Sequence, residues 1–499
     1  MLSRLTHATG SSRKRKIWST YVPYTLGIAS NAGLNIALIS LLTHRLAPSG
    51  YGTYSVSITV IVLASSVVGQ WLQQATGRYL AGSSAVASAY TKAAVLLGAG
   101  GIMLALLALF ALIALFVMLD SKHGAGLWLV CLFGIAAQTL FTLVGTVLQS
   151  EQRAWSYSVQ QACSGSLKIG FSVLVCRASQ QNVGGLLVAC GAAQFIGVAF
   201  GAWQARLFDP AVLRQLGSPR VLLVLRKLRV YGGAMTLWFI FMNLAMYSDR
   251  LMVRALSGSA TAGLYGAAST LVVGSVSLVM APILAATWPQ LMAAWNLKNE
   301  HAASRQLGDL LTYLMCAGVA LVAIVNAVAE PATRLFLGEK FSAASSLLAL
   351  LAASAFSFSL GPFFHKPLEF KEKKATMCTF AAIVLLVNAL LSVILIPRLG
   401  GVGAGSAALV SGALYCVLCA VQGRKIVKWH IRTDRLATVS VLAIAASFFA
   451  RRVSSSWHFD RDLWEFMFTS ASFVALFGVA LAGAFVVTSA RRRLKIMGG

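Results

Sequence analysis

The sequence has 499 residues, of which 58% are hydrophobic and only 11% are charged, and its mean hydropathy is +0.77. Soluble domains are about one quarter charged, so a water-soluble fold is excluded and the lipid bilayer is the expected solvent. The formal net charge is +27. Because the basic residues lie between long apolar runs, this charge argues against nucleic acid as a partner and favours cytoplasmic loops that face anionic membrane lipid.

Uncharged runs predict the transmembrane helices. Residues 93–119, for example, carry no charge, whereas a membrane helix needs about 20 apolar residues. The predicted fold is all-α and polytopic, with about fourteen transmembrane helices in two six-helix lobes plus two C-terminal helices. In chain order, the spans are predicted at residues 21–42, 53–73, 93–119, 127–149, 156–176, 184–205, 231–252, 263–286, 310–329, 343–364, 376–396, 402–422, 436–450 and 466–489.

Basic residues predict the orientation of these spans. With both termini in the cytoplasm, 29 of the 41 Lys and Arg residues fall on the cytoplasmic side, 11 fall on the other side, and Lys168 lies within span five. Basic residues are enriched in cytoplasmic loops, so this bias supports the assignment. The basic residues before span one could belong to a cleaved signal peptide. The uncharged run from Ile17 to His44 is too long for a signal core, however, so we expect a retained span.

Two pairs of similar segments predict that a six-helix unit occurs twice in the chain. The segment Arg45–Tyr54 after span one resembles Arg254–Tyr265 after span seven, and Glu151–Ala154 resembles Glu372–Ala375. Two such lobes can rock about a central site, which is a transporter layout. The predicted organisation is a basic cytoplasmic N-terminus (1–16), an N-lobe (17–205), a basic cytoplasmic linker (206–230), a C-lobe (231–422), spans 13 and 14 (423–490) and a basic cytoplasmic tail (491–499).

Sequence motifs of enzymes are missing. The sequence contains no G-x-x-x-x-G-K-[ST] run, no H-E-x-x-H site and no pair of C-x-x-C motifs. Cys416 and Cys419 have C-x-x-C spacing, but they lie in an apolar helix and are interpreted as core cysteines. Asp460 and Asp462 have D-x-D spacing in a short outer loop and are interpreted as solvated charges. We therefore expect no catalytic residue, no metal and no cofactor.

Several short segments occur in a particular order along the chain. They are Arg45–Ser55, Thr76–Leu80, Asp249–Met252 with Ala262–Tyr265, Leu335–Gly338 and Ile396–Ala404. Together they resemble the Wzx-type polysaccharide flippases of the multidrug/oligosaccharidyl-lipid/polysaccharide exporter superfamily. The resemblance implies an undecaprenyl-diphosphate-linked oligosaccharide as substrate, flipped from the cytoplasmic to the periplasmic face of a bacterial inner membrane. It leaves open whether the polymer is an exopolysaccharide or an O-antigen, and it makes polymerase and export components expected partners.

Such a substrate would need a hydrated, cationic cleft. Phosphates and hydroxyls that enter hydrocarbon without partners cost several kcal/mol each. Helical spacing predicts which polar side chains share a face. The candidate substrate-binding residues are Asn243, Tyr247, Arg250 and Arg254 on span seven, Gln161 and Lys168 on span five, Asn31 and Asn35 on span one, and Arg45 and Arg78. The alternatives are hydrogen bonds between helices for the amides and snorkelling to the interface for Lys168 and Arg250.

Asp249 is the acidic residue that the predicted map places inside a span. Such a residue is a candidate for proton or sodium coupling, and a structural ion pair with a neighbouring arginine is the alternative. Other functions also stay open: a cation-coupled drug exporter of the same superfamily, a membrane glycosyltransferase or polymerase, and a non-transporting assembly partner. A drug exporter would favour an acidic cavity, and acids are scarce in this chain, with 14 Asp and Glu residues.

Overall fold

The structure, a computed structural model, is an α-helical membrane fold. It describes residues 10–81, 83–119, 125–179, 182–296, 300–371, 373–457 and 462–497. Within these ranges it contains sixteen α-helices, one short 3₁₀ helix and no strand. Twelve helical segments of the described residues are long and apolar enough to cross a membrane. The predicted all-α, polytopic membrane fold is therefore confirmed.

Two features relate these twelve segments to the fourteen predicted spans. The segment Thr236–Met280 counts once although it has 45 residues. Its backbone is non-helical at Gly258 (φ 83°, ψ 176°), so it contains both span seven and span eight. Helix Ala154–Ala178 corresponds to span five. It falls outside the twelve because polar residues such as Gln161 and Lys168 lower its hydropathy.

The chain divides into two compact units. Unit 1 comprises Met1–Leu251 and Ser277–Ala286, and unit 2 comprises Met252–Val276 and Thr287–Gly499. The helices of unit 1 are α1 (Gly10–Arg45), α2 (Pro48–Leu80), α3 (Ala85–Leu119), α4 (Ala125–Ser150), α5 (Ala154–Ala178), α6 (Val183–Gln204), α7 (Pro210–Leu213) and parts of α8 (Pro219–Asn296). Helix α5 packs against α1 and α6, and α4 packs against α2 and α6. The interior of unit 1 therefore lies among these five helices.

Helix α8 begins earlier than the predicted start of span seven at residue 231. Its first residue, Pro219, suits a helix N-terminus because the missing N–H would have no partner there. Val221 and Leu228 are fully buried, whereas Arg226 is exposed. The segment predicted as a basic linker thus contains a helical extension, which exposes the apolar Leu222 and Leu223 as well as Arg226.

Unit 2 contains the remaining helices. They are α9 (Glu300–Ala327), α10 (Ala329–Leu337), a 3₁₀ helix (Glu339–Ala344), α11 (Ser345–Phe364), α12 (Lys366–Phe370), α13 (Lys374–Leu399), α14 (Gly401–Arg424), α15 (Thr433–Ser455) and α16 (Asp462–Met497). Helix α14 packs against α11 and α13, while α15 packs against α9 and α16. Gly338 and Gly400, which follow α10 and α13, have φ of 79° and 56°, a region that favours glycine.

Candidate functional site

A polar cavity of about 500 Å³ lies inside unit 1, among α1, α2, α4, α5 and α6. Its volume falls within the range of about 300–1,000 Å³ that small-molecule sites occupy. Gln138, one of its lining residues, lies about 20 Å from either end of α4. At that depth in a membrane, polar groups need partners. In the described part of the chain, seven amide side chains line the cavity: Asn31, Asn35, Gln73, Gln138, Gln149, Gln161 and Gln194.

Helix α4 contributes a polar stripe to the cavity wall. Gln138, Thr142, Thr146 and Gln149 all line it, and their spacing of four, four and three residues keeps them on one helical face. The Thr142 hydroxyl donates to the Gln138 carbonyl oxygen at 2.8 Å, and the Thr146 hydroxyl donates to the Thr142 carbonyl at 2.9 Å. These four residues are not among the candidates predicted from the sequence, although their helical spacing was a usable signal.

Hydrogen bonds link the amides of neighbouring helices around the cavity. Gln73 Nε2 on α2 donates to Thr142 Oγ1 on α4 at 2.8 Å. Gln194 Nε2 on α6 donates to Gln138 Oε1 on α4. A primary amide has two donor hydrogens and an acceptor oxygen with two lone pairs. Each of these side chains therefore keeps hydrogen-bonding capacity beyond the bond that holds it.

Lys168 is the only charged residue among the described residues that line this cavity. Its Nζ lies 5.9 Å from the centre of the Phe141 ring, within the range of a cation–π contact. No acidic side chain in the described part of the chain forms an ion pair with it. A charge at membrane depth requires compensation, and none of the described acids balances the positive charge of this cavity.

Four of the predicted candidates meet in this cavity. Asn31 and Asn35 come from α1, and Gln161 and Lys168 come from α5. Asn35 Nδ2 donates to Asn31 Oδ1 at 3.2 Å. Gln161 is 8% exposed and has no hydrogen-bond partner among the described residues. Helical spacing predicted the shared faces, and the structure brings the two helices together around one space.

The other basic candidates on α1 and α2 do not line this cavity. Arg45 is exposed at the end of α1. Arg78 is also exposed, and its guanidinium carbon lies 5.0 Å from the centre of the Tyr231 ring. Their contribution to a substrate site stays a prediction.

The span-seven candidates all lie on α8. Asn243 and Tyr247 are partly buried, while Asp249 and Arg250 are 5% and 8% exposed. Asp249 Oδ1 accepts a hydrogen bond from the backbone N–H of Arg250 at 2.7 Å. These four residues belong to unit 1 but do not line its cavity.

Arg254, further along α8, belongs to unit 2. Its side chain is partly buried, and the Nη1 atom is buried without a hydrogen-bond partner in the described part of the chain. A buried guanidinium N–H that donates no bond is costly. This nitrogen is therefore suited to an anionic ligand, and the contribution of Arg254 to a substrate site stays a prediction.

A larger cavity, of about 980 Å³, lies inside unit 2 among α9, α10, α11, α15 and α16. Apolar side chains such as Val319 and Phe448 form much of its wall. Among the described residues, two acidic side chains line it, and each pairs with an arginine. Glu330 Oε1 lies 3.1 Å from Arg451 Nη2, and Glu465 Oε2 lies 2.5 Å from Arg334 Nη2. The acidic charge in this wall is thus balanced within the protein.

Two buried ion clusters lie outside the cavities. In unit 1, Lys92 is 6% exposed, pairs with Glu151 and donates to the Ala205 carbonyl at 2.7 Å. Glu151 also contacts Arg153 Nε at 3.0 Å, so the cluster joins the start of α5 to α3 and to the end of α6. Glu372, the residue that corresponds to Glu151 in the similar segment Glu372–Ala375, lies outside the described residues.

The cluster of unit 2 is centred on Glu369. Its Oε1 lies 2.8 Å from His365 Nε2, and its Oε2 lies 3.0 Å from Lys366 Nζ. His365 Nδ1 is also 2.9 Å from the Tyr415 hydroxyl. These contacts tie α12 to α14, and they balance a lysine that is only 3% exposed.

Comparisons with known proteins identify the fold. No protein-family model matches the sequence, and no curated protein matches it. The fold is similar to that of a lipid II flippase, MurJ, in an inward closed conformation, with a TM-score of 0.68 and 12% identity over 94% of this chain and 99% of that chain. It is also similar to an inward-facing multidrug resistance MATE family transporter of the MOP superfamily, with a TM-score of 0.59 and 15% identity over 83% and 96% of the two chains.

A structure of MATE in complex with MaL6 gives a comparable match, with a TM-score of 0.59 and 16% identity over 85% and 96% of the two chains. This chain therefore has the fold of MOP-superfamily transporters and of a lipid II flippase along most of its length. The proteins that it resembles in structure are transporters and flippases rather than enzymes.

Proposed function

We propose that this protein flips undecaprenyl-diphosphate-linked oligosaccharide repeat units from the cytoplasmic to the periplasmic face of the bacterial inner membrane, for exopolysaccharide or O-antigen biosynthesis. The observation that carries the proposal is the unit 1 cavity, which combines seven amides with Lys168 and has no acid among its described lining residues. Hydroxyl-rich sugars need such partners to enter a membrane protein. The likeness to a lipid II flippase supports a lipid-linked substrate.

The charge of the unit 1 cavity favours this function over the export of cationic drugs. A cavity for cationic drugs would place an acid near the ligand, whereas the described lining of the unit 1 cavity has a lysine as its only charge. The positive charge of Lys168 would repel a cationic drug. The likeness to MATE transporters concerns the fold alone. The positive charge of the cavity favours an anionic or neutral substrate that is rich in hydroxyls.

In the proposed mechanism, two lobes expose the substrate site alternately to each side of the membrane. The sugars would bind the amides of the unit 1 cavity while the polyprenyl chain stays in the bilayer. Arg250 and Arg254 would compensate the diphosphate, because arginine forms bidentate hydrogen bonds with phosphate. Asp249 would serve as the coupling residue.

A deletion strain tests the proposed function. Without the protein, lipid-linked repeat units should stay on the cytoplasmic face, protected from a glycosidase added to spheroplasts, and surface polymer should be lost. Expression of the full chain should restore both. Unchanged polymer in a strain that lacks any other flippase would contradict the proposal. Unfinished sugar chains would instead indicate a glycosyltransferase, and lost drug resistance with normal polymer would indicate a drug exporter.

The proposed location includes cytoplasmic termini. Accessibility tags at Ser11 and Gly498 should therefore react only from the cytoplasm, and a tag at Ser455 should react from the periplasm. Labelling of the two termini from opposite sides would show that the number of spans is odd and would overturn the proposed orientation.

A further inference from the structure

The amides of the unit 1 cavity suit a sugar better than a simple anion. Each amide can donate and accept at once, which matches a ring of hydroxyl groups that do the same. Gln161 is the clearest case, because its side chain lines the cavity, is 8% exposed and has no partner among the described residues. Its amide atoms are not among the fully buried ones, unlike those of the neighbouring Gln160. They can therefore form hydrogen bonds with a hydroxyl-bearing ligand in the cavity.

The charge of the same cavity limits the ligand further. Lys168 is its one described charge, and no acid of the described chain balances it. A neutral sugar would leave the ammonium unbalanced. A diphosphate diester carries two negative charges and would leave one of them unbalanced. A single carboxylate matches one ammonium, so the charge count favours a sugar with one carboxylate near Lys168.

Spacing along α5 shows that one ligand could use both groups. Gln161 and Lys168 are separated by seven residues, two helical turns, which is about 10 Å along the helix axis. Both line the same cavity. A ligand of more than one sugar ring could therefore place hydroxyls at Gln161 and a carboxylate at Lys168.

We infer that the unit 1 cavity is a saccharide subsite that selects repeat units containing a uronic acid, with Lys168 binding the sugar carboxylate and Gln161 binding hydroxyls. This inference rests on the proposed function and specifies the substrate class at the same site. It assigns the diphosphate to a different place, because Lys168 alone cannot neutralise it.

The test measures binding of free disaccharides to the full-length protein in lipid nanodiscs. Cellobiuronic acid and cellobiose form a matched pair, because they differ only in a carboxylate that replaces one hydroxymethyl group. Saturation-transfer NMR would give their dissociation constants for the wild type, Lys168→Gln and Lys168→Arg. Pyrophosphate, added as a competitor, would show whether the site prefers phosphate.

The wild type should bind cellobiuronic acid about tenfold more tightly than cellobiose, a difference of about 1.4 kcal/mol, because only the carboxylate of the former can pair with the Lys168 ammonium. Lys168→Gln should abolish this preference, and a thermal midpoint no lower than that of the wild type would show that the variant is folded. Lys168→Arg should retain most of the preference. Equal binding of both sugars by the wild type, an undiminished preference in Lys168→Gln, or tighter binding of pyrophosphate at this site would overturn the inference.

The proposed function can fail separately from this inference. A carboxylate preference that depends on Lys168, in a protein that moves no lipid-linked sugar in proteoliposomes, would retain the subsite and reject the flippase. Transport of lipid-linked sugars with no carboxylate preference would retain the flippase and reject the subsite.

Discussion

The two cavities differ in how their charges are balanced. The unit 2 cavity is the larger, at about 980 Å³, and its two described acids each pair with an arginine. Arg452, which also lines it, is exposed. The unit 1 cavity is about half that volume, and its lysine has no acid among the described residues. Balanced charges hold helices together and need no ligand, whereas an unbalanced charge at membrane depth needs one. Charge balance together with burial therefore distinguishes the two cavities better than their volumes do.

The largest effect is expected where a balanced pair is broken. Glu151→Gln would leave Lys92, which is 6% exposed, without its acid. Removal of one partner of a buried pair costs about 3–5 kcal/mol, so the thermal midpoint of the purified protein should fall strongly. The double variant Lys92→Met with Glu151→Gln should recover much of this loss. A midpoint equal to that of the wild type for Glu151→Gln alone would show that the pair does not stabilise unit 1.

The unbalanced lysine should behave in the opposite way. Lys168→Met removes a charge that no described acid compensates, so the free energy of unfolding should stay equal or rise. On the proposed function, transport of a lipid-linked sugar that contains a uronic acid should fall about tenfold, the loss of one charge-assisted hydrogen bond. Thermal unfolding and proteoliposome transport would measure the two effects. A large loss of stability would mean that Lys168 has a structural partner after all.

Two adjacent glutamines on α5 provide a matched test, in which the expected effect on transport is smaller. Gln161 lines the unit 1 cavity, whereas Gln160 is fully buried and does not line it. Neither amide atom of Gln160 has a hydrogen-bond partner in the described structure. Gln161→Met should lower transport about fivefold, because one hydrogen bond is worth about 1 kcal/mol. Gln160→Met should leave transport unchanged and stabilise the protein. Equal loss of transport in both variants would contradict the assignment of the cavity.

The smallest effect is expected in the unit 2 cavity. The side chains of Arg451 and Glu330 are 48% and 64% exposed, so their ion pair is a surface pair. Such pairs contribute about 0–1 kcal/mol. Arg451→Gln should therefore change the thermal midpoint and the transport rate only slightly. A tenfold loss of transport at normal stability would indicate that the substrate binds in the unit 2 cavity instead.

Much of the fold was predictable because lipid imposes simple rules. Span length and loop charge follow from the thickness of the bilayer and from its surface potential. The sequence also predicted four residues of the cavity, since Asn31 with Asn35 and Gln161 with Lys168 share helical faces. It could not predict that α1 and α5 meet, because spacing defines a face of a helix but not the neighbour that this face contacts.

The α4 stripe was missed for a related reason. Gln138 and Thr142 are uncharged, so the gaps between charges did not reveal them, and amides or hydroxyls on a span equally suit contacts between helices. Only their position around a cavity separates the two roles. The same limit applies to Arg250 and Arg254, whose shared face was predicted and whose ligand stays a proposal.

Photocrosslinking would test the central claim, that the unit 1 cavity holds the sugar, most directly. A lipid-linked oligosaccharide with a diazirine on its sugar would be irradiated with the full-length protein in nanodiscs, and the adducts would be mapped by mass spectrometry. The account predicts adducts on α4 or α5, near Gln138 or Gln161, that are displaced by unlabelled substrate. Displaceable adducts confined to α9 or α15, around the unit 2 cavity, would contradict it.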